Sequence, residues 1–426
     1  IVGGCTNNIN TRGSGHFIGG GICNNIVSSY AGYQTDNRSF IGGGCKNIIN
    51  GYTCCNFGCF NDNVLVGGCR NKICGFDLGT KVSGSSNFIG SGQLNTASGN
   101  FNFIGSGCKN VLKASNTVIV GGFSNTASGN FTSIVGGFKN TASANFSSIV
   151  GGTRNNFEGG NDGYGCSISH KFIGGGCLNQ IGFNSRGNAY QSGKFSSIVG
   201  GQENKICQCW AFIGGGCKNI INGYGNTKSV IVGGNQNTVN AYSSHVFIGG
   251  GRLNCASSTN TVIVGGVCNS NSSCYGFIGA GRQNSISGYE GADSIVGGKY
   301  NRIVGTYGVN NQQNFIGGGY RNCISGLKTS IVGGVFNTAS SSNCSFIGGG
   351  YCNTLFNSKG SSIVGGGNNI ISGSTIAPLS DFNVIGGSSN TISGSFTAVF
   401  GLSNTASRHC ANFIAGEGNS IYSINS

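Results

Sequence analysis

The sequence predicts an all-β protein built as a parallel β-solenoid (a β-roll or β-helix) of about 24 short coils. Three observations carry that prediction. One motif recurs along all 426 residues, Gly is abundant at 83 while Pro occurs once, and no stretch has the apolar period of a helix. The glycines follow no Gly-X-Y period, which excludes collagen, and 37% hydrophobic residues with 27 Phe are too much apolar mass for a disordered linker. Apolar runs stay short, so no membrane span is expected.

The motif opens with an aromatic or β-branched residue, then Ile or Val and Gly-Gly. After two variable residues come Asn, one further residue, and Ile or Ala. Its 24 copies open at Ile1, Phe17, Phe40, Leu65 and so on to Phe413, most often 14 to 16 residues apart. A unit that short has room for two short strands and two turns, with Gly and Asn expected at the positive-φ corners. The Asn is present in all 24 copies, from Asn7 to Asn419, and columns so strict imply in-register stacking. Two roles for it stay open: a hydrogen-bonded ladder along the stack, represented by Asn47, Asn71, Asn125, Asn140, Asn219 and Asn337, or a left-handed turn residue. Ten of the eleven copies that open with Phe have seven residues from Phe to Asn, whereas twelve of the other thirteen have six. That contrast reads as wide and narrow coils interleaved, with one copy per turn. From Ile149 to Ile363 the two kinds alternate, so two copies per turn is the other reading.

Neighbouring residues on a strand face opposite sides, so of two adjacent apolar columns one lines the coil interior and the other needs cover. The second column is read as Val2, Ile18, Ile41, Val66 and onward, and another copy of the chain is its economical cover, as a homotrimer or a filament. The chain is expected to be one solenoid domain, 1–426, with loop insertions at one corner at about 27–38, 50–62, 75–86, 158–170, 183–194, 306–313 and 373–381. Loops on a rigid scaffold commonly carry binding, which makes Tyr30, Tyr33, Tyr52, Tyr164 and Tyr190 the contact candidates, for a host receptor or a glycan.

Catalysis is not expected. The ten acidic residues are scattered singly, the four His lack metal-ligand spacing, and the repeated Gly-Gly-Gly has no helix after it to form a phosphate loop. No metal or cofactor is therefore expected either. Among 21 Cys, Cys45 and Cys69 share a column on consecutive coils and are the candidate disulfide, whose oxidation would imply an extracellular or virion location. The formal charge of +14 places Lys46, Arg70, Lys109, Lys139, Arg154, Lys218 and Arg321 just before the Asn. Spread along a long solenoid, this density is low for specific nucleic-acid recognition and leaves polyanion or acidic-glycan contact as a second reading. Outward Thr96, Thr126, Thr141, Thr338, Thr391 and Thr405 suggest ice binding as an alternative, although Lys, Ser and Ile interrupt their column.

Segments such as Ser133 to Ser143 (S-I-V-G-G-F-K-N-T-A-S) and Ser330 to Ser340 (S-I-V-G-G-V-F-N-T-A-S) are similar to the head repeat of YadA-like trimeric autotransporter adhesins, and to repeats of phage and giant-virus fibre-like proteins. The resemblance covers nearly the whole chain. It implies a left-handed parallel β-roll assembled as a tight trimer, and a structural or adhesive fibre on a cell or virion surface.

Overall fold

In a computed structural model of the chain, the described residues are 1–11, 14–28, 37–51, 61–74, 86–157, 169–182, 193–223, 228–240, 244–288, 291–305, 312–373, 381–407 and 412–422. They contain strands and turns and no helix. The chain divides into two units, Ile1–Lys218 and Asn219–Ser426.

From the second copy onward each repeat copy contributes two strands, and the first contributes only the back strand Asn8–Asn10. A front strand carries the residues around the opening hydrophobe, such as Phe103–Ile104, and a back strand follows the motif Asn, such as Val111–Leu112. In the first unit the front strands run from Phe17–Ile18 to Phe212–Ile213 and the back strands from Asn8–Asn10 to Lys205–Ile206. In the second unit the back strands run from Ile220–Ile221 to Ser420–Tyr422, with front strands from Val230–Ile231 to Asn412–Glu417. Consecutive copies pair directly and in parallel, as in Ser133↔Ser148 on the front and Thr126↔Thr141 on the back. Each turn of the solenoid is therefore one copy, and the two-copy reading is excluded.

The pairing register corrects the reading of wide and narrow coils. Phe103 pairs with Val118 and Ile104 with Ile119, so Phe stands where other turns carry Val or Ser, and the buried Ile follows it. Measured from that buried Ile, both kinds of turn have the same length to the Asn: Ile104 to Asn110 and Ile119 to Asn125. The second apolar column is corrected in the same way. Ile18 and Ile41 point inward and are fully buried, whereas Phe17, Phe40, Val2 and Val66 are the exposed residues.

The core of each unit is the space between the two sheets. Front residues such as Ile119, Ile134 and Ile149 meet back residues such as Ala127, Ala142 and Phe157, all 0% exposed. Fully burying one such Ile or Phe contributes about 1.5–3 kcal/mol toward the cost of ordering a turn that has no helix or hairpin to stabilise it locally. The back core column holds one polar residue, Asn271, also fully buried. Its Oδ1 accepts from the Ser273 N–H at 3.3 Å.

Candidate functional surfaces

The corner between front and back strand has the sequence Gly-x-x-Asn, and its geometry answers the question left open about the Asn. Gly44 has φ 93° and Lys46 has φ 54°, and the same pair recurs as Gly137 at 96° and Lys139 at 54°. The left-handed residues are thus the Gly and the residue before the Asn; the motif Asn is not one of them. A Cβ on Gly137 would run into the Gly152 carbonyl and lie 2.5 Å from Asn140 Nδ2, so this position requires Gly.

The Asn forms the ladder. Asn47 Nδ2 donates to Gly43 O at 2.9 Å in its own turn and to Gly68 O at 3.0 Å in the next, while its Oδ1 accepts the Asn71 N–H at 3.0 Å. Asn71 repeats this with Gly67, Gly92 and the Asn95 N–H, and Asn125 with Gly121, Gly137 and the Asn140 N–H. In the second unit Asn337 does the same with Gly333, Gly350 and the Asn353 N–H; Asn219 donates to Gly234 O and accepts from the Asn237 N–H. These amides are 0% exposed, so every polar atom satisfied inside the stack avoids a desolvation cost. The rungs run mainly between side chain and backbone. Direct amide-to-amide bonds join them in some turns, as from Asn353 Nδ2 to Asn337 Oδ1 at 3.1 Å.

A second corner, between the back strand and the next front strand, repeats the device less strictly. Gly99, at φ 100°, and Phe101, at φ 56°, precede buried Asn102, whose Nδ2 donates to Ser98 O at 3.0 Å and whose Oδ1 accepts the Thr117 N–H at 3.0 Å. The buried position then holds Thr117, Thr132, Ser147, Lys171 and Ser196 in successive turns. The residue before it points outward and stacks: Phe131 on Phe146 at 4.8 Å, Phe146 on His170 at 5.4 Å, His170 on Phe195 at 5.2 Å and Phe195 on Trp210 at 4.3 Å. The sequence reading missed this row because no single residue type marks it. Its spacing from the buried Ile, three residues upstream in each turn, was the available signal.

The outer face of the front sheet carries one large apolar side chain in nearly every turn. Where Phe precedes the buried Ile, Gly follows it in every copy but the last (Phe413-Ile414-Ala415), as in Phe172-Ile173-Gly174. Where Ser precedes, Val follows, as in Ser197-Ile198-Val199, and where Val precedes, Val follows except at Val384-Ile385-Gly386. The Phe172 ring covers Gly174, with its Cε1 3.4 Å from where a Cβ would stand, and so occupies the place of the next turn's Val. The residues remain open to solvent: Phe103 is 39% exposed, Val135 45% and Val199 50%.

Cys45 and Cys69 are neighbours on adjacent turns, bridged in parallel at the first corner. Both are free thiols; Cys54, Cys55 and Cys59 lie outside the described residues. Burial pushes the thiols of Cys209, Cys255 and Cys323 up, and it pushes His16 down, whose two ring nitrogens are buried without partners. Thr96, Thr126 and Thr141 lie on the back sheet, but Val111 separates the first two and Asn156 follows the third. The back face therefore lacks an unbroken Thr array.

In sequence the expected insertions follow a back strand and precede the next front strand, but 27–38 and 50–62 overlap the ends of strands Asn25–Ser28, Asn37–Ile41, Ile48–Gly51 and Asn61–Leu65. Tyr30, Tyr33, Tyr52, Tyr164 and Tyr190 lie outside the described residues. Among the described residues, no three His, Cys, Asp or Glu side chains group as metal ligands, and no helix is long and apolar enough to cross a membrane. No protein-family profile matches the chain, and no curated protein matches it.

Proposed function

We propose that the chain is a non-enzymatic structural and adhesive fibre segment, assembled from copies of itself through the outer face of the front sheet and displayed on a cell or virion surface. The observation that carries this reading is the compensation between Phe-Ile-Gly and Ser-Ile-Val turns. Bulk is exchanged between two positions so that each turn keeps at least one apolar side chain outside, a regularity that packing of the interior does not require. The partner best matched to a stripe repeating every ~4.8 Å is a surface with the same repeat, which another copy supplies. The resemblance of the repeat to fibre and adhesin heads supports the surface location, and the insertions supply the contacts.

The test is the mass of the native protein. Multiples of 43.2 kDa are expected at micromolar concentration, and Val135→Asp with Val150→Asp should release the monomer while leaving the circular dichroism of the solenoid intact. A wild-type chain that stays at 43.2 kDa would refute assembly through this face.

A further inference from the structure

Three successive turns of the second unit gather four cations at the first corner, with no described carboxylate to neutralise them. Arg282 pairs with Lys299, and Lys299 with Tyr320, in the column two before the Asn. Tyr300 (φ 60°) and Arg321 (φ 53°) occupy the left-handed position just before it. Arg302 begins the back strand Arg302–Val304. Arg282, Arg302 and Arg321 are exposed, and Lys299 is half-buried.

Aromatic rings brace two of these charges. The Arg321 guanidinium lies 5.5 Å from the Tyr300 ring, 5.3 Å from Tyr320 and 5.6 Å from Phe336. Lys299 Nζ lies 4.9 Å from Tyr300 and 5.8 Å from Tyr320. The rings meet edge to face, Tyr300 with Tyr320 at 87° and Tyr320 with Phe336 at 89°. Cation–π contact positions a cation without cancelling its charge. Between 244 and 373 the one described carboxylate is Asp293, which is 0% exposed and so cannot screen the corner; Glu290 lies outside the described residues.

We infer that this corner binds a polyanionic saccharide, a chain bearing sulfate or carboxylate groups, with Arg282, Lys299, Arg302 and Arg321 as the contact residues. Four cations spread over three turns, in adjacent columns on either side of the Asn, form a patch that suits a ligand bearing several charges better than a single small anion. Single-stranded nucleic acid is disfavoured because it needs free ring faces for base stacking, and here Arg321 and Lys299 lie against those rings. The site is independent of the apolar front face, so it stands or falls separately from self-assembly.

The experiment measures polarisation of labelled heparin with the full chain across a salt series, with neutral dextran and polyuridylate as parallel probes. Heparin should bind and dextran should not. Arg282→Ser with Arg302→Ser should weaken heparin about tenfold or more and flatten the salt slope by about two charges, the signature of lost counterion release. Arg321→Ala should also weaken binding, with partial recovery in Arg321→Lys. A control pair of equal charge, Lys113→Ser with Lys228→Ser, should change affinity less than about twofold. Should Arg321→Ala lose its dichroism signal, the Arg282 and Arg302 variant decides alone. No heparin binding, equal loss in the site and control pairs, or polyuridylate binding as tightly with the same sensitivity would each overturn the inference.

Discussion

Replacing Asn140 by Asp separates a ladder residue from a turn residue, because Asp is as acceptable as Asn in a turn but cannot donate as a carboxylate. Asn140 Nδ2 donates to Gly136 O and Gly152 O, both at 3.0 Å, and its Oδ1 accepts the Asn155 N–H at 2.9 Å. The Asp keeps the acceptor. It also sets a carboxylate oxygen where the amide met two carbonyl oxygens, in a site that is 0% exposed. Two lost donations at about 1 kcal/mol each, with the desolvation of a buried charge added, come to about 3 kcal/mol at pH 7. In hydrogen exchange of the segment 141–157 this is roughly a 100-fold faster opening, at about 1.4 kcal/mol per tenfold. Burial raises the pKa of the new carboxyl in the folded state, so stability should return as pH falls, when the protonated group donates to one carbonyl. Thermal melts at pH 4 and pH 7 read that sign. Asn140→Asp protected like wild type at pH 7 would refute the ladder's energetic role.

Three further outcomes follow from the same structure. Burial pushes the Asp293 carboxyl up, against opposing hydrogen bonds from Asn314 and Ser273, and its Oδ2 lacks a partner. Its stabilising protonated form is therefore lost as pH rises through the raised value, and Asp293→Asn should raise the melting temperature at pH 7, by about 1–2 kcal/mol of stability, and flatten the pH dependence; no gain would contradict it. Trp210, the one Trp, stacks on Phe195, so Phe195→Ala should red-shift its emission and increase acrylamide quenching, with about 1 kcal/mol lost; unchanged emission would contradict the stack. Mild oxidant should join Cys45 to Cys69, whose turns stack ~4.8 Å apart, and non-reducing peptide mapping would recover the linked peptides; complete alkylation of both after oxidation would end the disulfide proposal.

Much of this architecture is legible in residue order. The Asn column and the Gly before it are strict because one amide meets three backbone groups and a Cβ at Gly137 would strike the next turn. The inward register was not legible, because Phe103-Ile104 and Ile119-Val120 are both adjacent apolar pairs, and a one-residue slip exchanges core and surface. Nor was the left-handed position before the Asn, since Lys46, Arg70, Leu94 and Phe336 are ordinary side chains that adopt it only because the stacked turns impose it. The second corner stayed hidden for a different reason. Asn102, Thr117 and Ser147 all satisfy a small buried hydrogen-bonding site, so the column tolerates substitution and leaves no single letter to follow.

Self-assembly through the front face is tested most directly by a cryo-EM reconstruction of the native particle. Front sheets of neighbouring copies turned toward one another, with Val120, Val135, Val150 and Phe172 buried between them, are the expected result. Front sheets facing solvent, or single 43.2 kDa particles, would contradict it.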